Sequence, residues 1–273
     1  MNQPAAKSRR RIGDRFSGIA LPIYAALALA FLQVPVIIVA LASVTTTSYL
    51  TVPPQGFTLD WYWRVLGDAS YIRAILFSLN LAIAATFVSL VCGTAAAYAL
   101  IRRKVPGGDA IATFLMAPLV FPAVVIAVAL LQFYTLVGVR GTFGALVAAH
   151  VLITIPYVVR SILASLGGAD PTLEEAARTL GANSWNAFRK VTLPLIKPGL
   201  VAGGIFSFIV SFDNVPVSIF LVGIRQQTLP VKIFTAVEHG VDPGVAAIST
   251  LLIITTGLGL VLAERWVGFH RFA

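Results

Sequence analysis

The sequence predicts an all-α polytopic membrane protein with six transmembrane helices, and three observations support this fold class. Of the 273 residues, 58% are hydrophobic and only 11% are charged, whereas a soluble globular chain has roughly 25% charged residues. The mean hydropathy is +0.89. Six windows are long and apolar enough for a helix to cross a bilayer core of about 30 Å. This composition excludes a water-soluble enzyme.

The six predicted spans follow one another through a transmembrane domain at 18–266. Only the fifth contains an acidic residue, Asp213. Prolines inside four of the spans each remove a backbone hydrogen bond, so bends are expected there. Glycines in the fifth and sixth spans are expected to let helices approach closely. The spans are 18–44, 74–101, 110–137, 142–159 with about one further turn, 199–222 and 244–263; the prolines are 22, 35, 118, 122, 156 and 216; the glycines are 203, 204, 257 and 259.

The distribution of basic residues predicts the orientation. Fifteen of the 20 Lys and Arg residues fall on the side that carries both termini, and the cytoplasmic side is the one enriched in these residues. We therefore expect a cytoplasmic, uncleaved N-terminal segment at 1–17 and a cytoplasmic tail at 267–273. The net charge of +9 is then a topology signal and does not indicate nucleic acid. Trp61, Tyr62 and Trp63 are expected in the outer aromatic belt.

The longest polar segment, 167–198, precedes the fifth span on the cytoplasmic side and has the signals of folded structure. Asp170 and Pro171 are an N-cap followed by a first-turn proline. Glu174 and Glu175 lie in the first turns, where the helix dipole favours carboxylates. A short helix is therefore expected to begin at this point.

A second short helix is predicted to follow at an angle. Gly181 is placed to end the first helix in the left-handed conformation. Asn183 or Ser184 can cap the second helix, and Leu193 with Pro194 is expected to stop it.

The spacing of this segment resembles a known family motif. Its order is EAA, three residues, Gly, nine residues, a branched apolar residue, one residue and Leu-Pro. This is similar to the EAA loop of inner-membrane permease subunits of binding-protein-dependent ABC importers. The resemblance implies the type I ABC importer permease fold and a loop that couples to an ATPase. The coupling residues it implies are Glu174, Glu175, Ala176, Ala177, Arg178, Gly181, Trp185, Leu193 and Pro194, with Val191 at the branched position. Alternatively, the two glutamates serve only the helix dipole.

The resemblance also implies partners and a location. A permease of this kind forms a heterodimer with a second permease subunit and works with two ATPase subunits and a periplasmic solute-binding protein. It is a multi-pass protein of the bacterial inner membrane, embedded in the lipid bilayer. No lysine in the sequence follows a glycine, so the Gly-Lys-Ser/Thr of a P-loop is absent. ATP and Mg²⁺ are therefore expected on the partner ATPase, with no cofactor, metal or catalytic residue on this chain.

Two further stretches resemble the second permease of spermidine/putrescine importers. They are 53–57 with Trp61 and Tyr62, and 211–218. The resemblance implies a small cationic or amine-bearing, polyamine-like solute. Asn214 stands where a second acidic residue is expected, which leaves open related members associated with opines, modified amino acids or phosphonates. The contrasting class, a stand-alone secondary transporter, would more often show an internal repeat, and the sequence has none.

Asp213 and Asn214 are the candidate pathway residues. Asp213 lies about 21 Å along the fifth helix at 1.5 Å per residue, and an ionisable residue at such depth is a functional-site hypothesis. The alternative is a structural ion pair with Arg160, Arg225 or a partner subunit. For His150 in the fourth span, two interpretations are open: a packed, hydrogen-bonded ring or a proton relay.

Overall fold

The regular structure in the described part of the chain is entirely helical. The computed structural model describes 7–102, 105–223, 226–240 and 242–267. Arg103, Lys104 and Arg225, and the predicted tail beyond Val267, lie outside these residues. The helices are α1 (Lys7–Ala42), α2 (Asp60–Gly67), α3 (Ala69–Arg102), α4 (Gly108–Met116), α5 (Ala123–Leu136), α6 (Phe143–Gly167), α7 (Thr172–Thr179), α8 (Ser184–Ala187), α9 (Leu193–Leu195), α10 (Lys197–Phe212), α11 (Val215–Leu221), α12 (Leu229–His239) and α13 (Pro243–Val267).

Three of the predicted spans form single apolar helices long enough to cross a membrane. They are Leu21–Ala42 within α1, the 34-residue α3 and the 25-residue α6. The fourth span begins as expected, because the Thr142 side chain accepts the Ala145 N–H at 3.3 Å. The helices continue through Pro22, Pro35 and Pro156 without a break.

The third predicted span is sharply bent, as the prolines inside it predict. The segment Gly108–Leu119, which ends in a 3₁₀ turn, meets α5 at an angle of 100°. Pro122 lies at the corner as the N-cap of α5. A proline cannot donate the hydrogen bond that would continue the preceding helix, and this accounts for the break. At 14 residues, α5 is about 21 Å long and shorter than a bilayer core.

The fifth predicted span is also divided. It consists of α10 and α11, which are separated by Asp213 and Asn214. The sixth corresponds to α13, whose apolar part is Pro243–Gly259. The described residues thus contain three spans, or up to five if each of the two bent helix pairs, Gly108–Leu119 with α5 and Ser184–Leu195 with α10, counts as one. The six-span count and the orientation remain predictions.

The chain divides into two compact units. The first contains the described residues before Asp68 together with 239–259. In this unit the Trp61 indole donates to the Thr45 carbonyl at 2.9 Å, and the Tyr62 hydroxyl lies 2.6 Å from the Ser43 hydroxyl. These two rings hold the segment after α1 in place. Of the three aromatic residues predicted for a belt, only Trp63 is strongly exposed, at 72%.

The second unit contains the remaining described residues, and its centre is the packing of α3, α6 and α10. Gly203 approaches the Val158 backbone so closely that a Cβ would lie 3.1 Å from its Cα. Gly93 and Gly199 also lie close against α6. These two close contacts were not predicted from the sequence. In the sixth span, no described residue lies within 4 Å of a Cβ built at Gly257 or Gly259, so the close approach expected there is not seen within the described part of the chain.

Candidate functional site

The segment between α6 and α10 folds as the cap signals predict at its start. The Asp170 carboxylate accepts the Thr172 N–H at 2.9 Å. This backbone hydrogen bond holds the pKa of Asp170 below its ordinary value. The helix α7 begins at Thr172, one residue later than a first-turn Pro171 implies. Helix boundaries commonly differ by one or two residues.

The corner at Gly181 has the predicted left-handed conformation, with φ +91°. Its N–H donates to the Arg178 carbonyl at 2.9 Å, and the Ala182 N–H donates to the Ala177 carbonyl at 3.0 Å. This pair of bonds is a Schellman motif, which satisfies carbonyls that the end of a helix leaves open. The angle between the two short helices is therefore set by backbone geometry.

The second short helix begins as predicted but does not stop at Leu193 and Pro194. Asn183 caps it by accepting the Asn186 N–H at 2.8 Å. After α8 the chain makes a π turn at Phe188–Thr192 and continues into α9, with Pro194 in its first turn. A proline in the first turn of a helix breaks no hydrogen bond, because the N–H groups of that turn have no partner in the helix. Since the π turn ends just before Leu193, Pro194 falls in the first turn of α9 and the chain stays helical. The 70° bend to α10 follows α9.

Glu174 lies at the centre of this segment, and its residue is only 7% exposed. The Tyr98 hydroxyl of α3 donates to Oε1 at 2.6 Å. The Thr192 hydroxyl of the π turn donates to Oε2 at 2.9 Å, and the Arg178 guanidinium of α7 donates to Oε1 at 3.4 Å. One carboxylate therefore joins α3, α7 and the π turn.

A second cation and a cavity complete this cluster. Arg102, at the end of α3, places Nε 3.9 Å from Oε2 of Glu174 and donates from its guanidinium to the Ala169 carbonyl at 3.3 Å. A cavity of about 450 Å³ lies beside these groups, between the ends of α3 and α6 and the helix α7. A buried carboxylate is costly unless it is paired and hydrogen-bonded, and this one is both.

The opposite side of the segment is exposed and apolar at its corner. Leu180 is 89% exposed and Trp185 is 66% exposed. The Trp185 ring stacks on Phe188 at 5.9 Å between centroids, and Phe188 meets Tyr98 edge to face at 5.2 Å. A line of aromatic contacts thus runs from the exposed corner to the tyrosine that binds Glu174.

The predicted coupling residues separate into two groups in the structure. Glu174 is buried, with Arg178 bonded to it, so it does more than serve the helix dipole. The ion pair of Glu174 with Arg178 could have been predicted from its i,i+4 spacing in a helix. The sequence gives no such signal for Tyr98, Thr192 or Leu180, which were not predicted. The remaining predicted residues lie at or near the surface: Glu175, Ala176, Ala177, Gly181, Trp185, Leu193 and Pro194.

Asp213 and Asn214 form the break between α10 and α11. The Asn214 side chain caps α11 by accepting the Val217 N–H at 2.8 Å. Asp213 is exposed and forms no ion pair with any basic residue of the described ranges, Arg160 included. Arg225, the other intrachain candidate, is outside those ranges. Asn214 therefore serves the backbone, and the Asp213 carboxylate is available for another group.

His150 is fully buried in α6, and its ring is packed and hydrogen-bonded, as one of the two interpretations predicts. Its Nδ1 lies 2.8 Å from the Ser211 hydroxyl, and its Nε2 lies 3.2 Å from the Ser218 hydroxyl. Both ring nitrogens therefore have partners.

Comparison with known proteins identifies the family. Residues 89–270 match the binding-protein-dependent transport system inner membrane component family. The chain belongs to this family, and is thus an inner-membrane permease of the ABC importer class.

Its relatives include permeases of spermidine/putrescine and putrescine transport systems. The spermidine/putrescine transport system permease protein PotC of Haemophilus influenzae is 35% identical over 235 residues, which cover 86% of this chain and 91% of that protein. PotC of Escherichia coli K12 is 34% identical over 239 residues, covering 87% and 89%. The putrescine transport system permease protein PotI of E. coli K12 is 32% identical over 235 residues, covering 84% and 83%.

Solved structures support the fold. One chain of a bacterial ABC transporter involved in the import of the acidic polysaccharide alginate aligns with a TM-score of 0.72 and 18% identity, covering 97% of this chain and 99% of that one. A chain of the MetNI methionine ABC transporter aligns with a TM-score of 0.60 and 20% identity, covering 77% and 98%. The expected ABC importer permease fold is therefore confirmed at the level of architecture.

The Glu174 cluster makes a testable prediction about stability. Glu174→Ala removes the acceptor of three donors and leaves Arg102 without its counter-ion, so the free energy of unfolding should fall by on the order of 3 kcal/mol. Thermal unfolding of the purified complex in lipid nanodiscs measures this loss. Glu175→Ala, at the exposed neighbour, should change stability by no more than about 0.5 kcal/mol. Equal effects of the two substitutions would contradict the central place of Glu174.

Proposed function

We propose that this chain forms half of the translocation pathway of a bacterial ABC importer, with its partner ATPases supplying the energy. In this proposal it forms a heterodimer with a second permease subunit, binds two ATPase subunits and receives its solute from a periplasmic binding protein. The observation that carries the proposal is the folded segment 167–198, anchored to α3 through Glu174, on a chain of the importer permease family.

The proposed topology has six spans in the bacterial inner membrane and places both termini in the cytoplasm. The excess of Lys and Arg on that side supports it. The segment 167–198 then faces the cytoplasm, where an ATPase can reach it. ATP and Mg²⁺ bind that partner, since the chain has no P-loop sequence.

The exposed corner of the segment is the proposed ATPase contact. Leu180 and Trp185 are the exposed apolar side chains of this corner, and Glu175 is an exposed carboxylate on α7. Exposed apolar residues of this kind become buried anchors at the centre of an interface when a partner binds. Force applied at Trp185 passes through Phe188 to Tyr98 and so to α3.

Gly181→Val tests the coupling role. No described residue lies within 4 Å of a Cβ built at Gly181, so the substitution costs backbone strain, about 1–2 kcal/mol for a left-handed residue. We expect the corner to open and the second short helix to move. Solute uptake per ATP hydrolysed should then fall in reconstituted complexes, while membrane insertion is unchanged.

Gly168→Val is the matched control. Gly168 lies at the start of the same segment with an ordinary φ of −86°, and the nearest atom to its Cβ is 3.9 Å away. It should keep the wild-type ratio of uptake to hydrolysis. If Gly181→Val also keeps that ratio, the corner does not transmit the motion of the ATPase.

The proposed solute is a small cationic or amine-bearing molecule of the polyamine type. The names of several relatives, which are spermidine/putrescine and putrescine permeases, support this class; a molybdenum transport system permease, ModB of E. coli K12, is a relative at 32% identity over 218 residues. The exposed Asp213 carboxylate, with no basic partner in the described residues, can attract a cationic group. Asn214 favours a second candidate, the same importer class acting on opines, modified amino acids or phosphonates, because the site carries one negative charge where two are expected.

Asp213→Asn separates a pathway role from a structural one. The substitution keeps the size of the side chain and removes an attraction on the order of 1–4 kcal/mol at about 4 Å. Uptake of radiolabelled spermidine should fall about tenfold or more, since each 1.4 kcal/mol is a factor of ten. The thermal stability of the complex should stay at the wild-type value.

The control is Asp109→Asn, which removes the same charge from an exposed position of α4. Spermidine uptake should be unaffected by it. Normal uptake with Asp213→Asn would refute the pathway role, and a collapse in stability would favour an ion pair with another subunit.

A further inference from the structure

The imidazole of His150 lies between the two halves of the fifth predicted span. Ser211, which faces Nδ1, is in α10, and Ser218, which faces Nε2, is in α11. The two serines flank the break at Asp213 and Asn214, and His150 itself belongs to α6. One side chain of a neighbouring helix therefore holds both halves of the broken span.

The chemistry of the three side chains fits this arrangement. A neutral imidazole donates from one nitrogen and accepts at the other, and a serine hydroxyl can do either. Both hydrogen bonds can thus form at once with an uncharged ring. His150, Ser211 and Ser218 are each no more than 2% exposed, so water does not compete for these groups.

The turn of α6 that carries His150 is itself fixed to α3. The Thr154 hydroxyl donates to the His150 carbonyl at 2.7 Å and lies 2.7 Å from the Ser89 hydroxyl of α3. All of these groups are buried. We call His150 and its two serine partners, Ser211 and Ser218, the clamp. The clamp is therefore attached through Thr154 and Ser89 to α3, the helix that also carries Tyr98.

A buried serine in α10 does not always have a hydrogen-bond partner of the kind that Ser211 has in His150. Ser207 lies one turn before Ser211 and is fully buried, yet its hydroxyl has no hydrogen-bond partner among the described residues. The bond between His150 and Ser211 is thus specific to the turn next to the break.

We propose that His150 is a positioning residue, which fixes α11 relative to α10 through Ser211 and Ser218 and so fixes where the Asp213 carboxylate lies. This inference rests on the proposed pathway role of Asp213. Without the two hydrogen bonds, the two-residue break allows α10 and α11 to change their relative orientation, and the carboxylate moves with them.

The first test measures the clamp itself by backbone hydrogen–deuterium exchange of 211–221 in the assembled importer in nanodiscs. Ser218→Ala removes one bond with little change in volume, and His150→Leu removes both. Exchange in this segment should become about threefold to tenfold faster with Ser218→Ala, the range that one lost hydrogen bond between membrane helices gives. Ser207→Ala, the matched control, should leave it unchanged. Unchanged exchange with Ser218→Ala would overturn the clamp, even if His150→Leu does not fold.

The second test asks whether the clamp acts through Asp213. Spermidine uptake is measured for Ser218→Ala alone, Asp213→Asn alone and the double variant. If the clamp positions the carboxylate, Ser218→Ala should lower uptake in the wild-type background and have no further effect beside Asp213→Asn, because the two changes act on one interaction. A merely structural role would lower uptake by the same factor in both backgrounds and would overturn the proposal.

The two tests also separate this inference from the function on which it rests. Normal uptake with Asp213→Asn would overturn the pathway role of Asp213 and, with it, positioning through that residue. Faster exchange with Ser218→Ala in the same experiments would still show the clamp.

Discussion

The segment 167–198 depends on one constraint: the Glu174 carboxylate is buried and must keep its donors. Tyr98, Arg178 and Thr192 bind it from three separate segments. Moving the segment away from α3 would take the Tyr98 hydroxyl and the Arg102 guanidinium from a buried carboxylate, which is unfavourable. The short helices and α3 should therefore move together. A permease that is driven from outside the membrane needs this kind of stiff connection between its loop and its spans.

Two of the predicted spans are broken, the third at Pro122 and the fifth at Asp213 and Asn214. Backbone groups in a bilayer must find partners inside the protein. At the break in the fifth span, Asn214 caps α11, and His150 bonds to both halves. The break beside Asp213 is thus stabilised by specific side chains, and the Asp213 carboxylate has no basic partner among the described residues.

The sequence predicts much of this fold because the signals are local. The glycine corner, the asparagine cap, the end of α3 and the start of α6 follow from residue type and spacing, and the structure confirms them. The corner at Pro122 and the helical path through Pro194 show the limit: a proline marks a possible break, but the surrounding turns decide whether the chain bends. The contacts of Glu174 with Tyr98 and Thr192 join residues 76 and 18 positions apart in sequence. No local pattern in a single sequence contains such contacts.

The central claim is that an ATPase drives this chain from the cytoplasm. The most direct measurement is spermidine uptake into proteoliposomes that contain the chain and the subunits that co-purify with it, supplied with the solute-binding protein. We predict uptake when ATP is present on the cytoplasmic side and none when an ion gradient replaces ATP. Uptake by the chain purified without any ATPase, in ATP-depleted vesicles under an ion gradient, would contradict it.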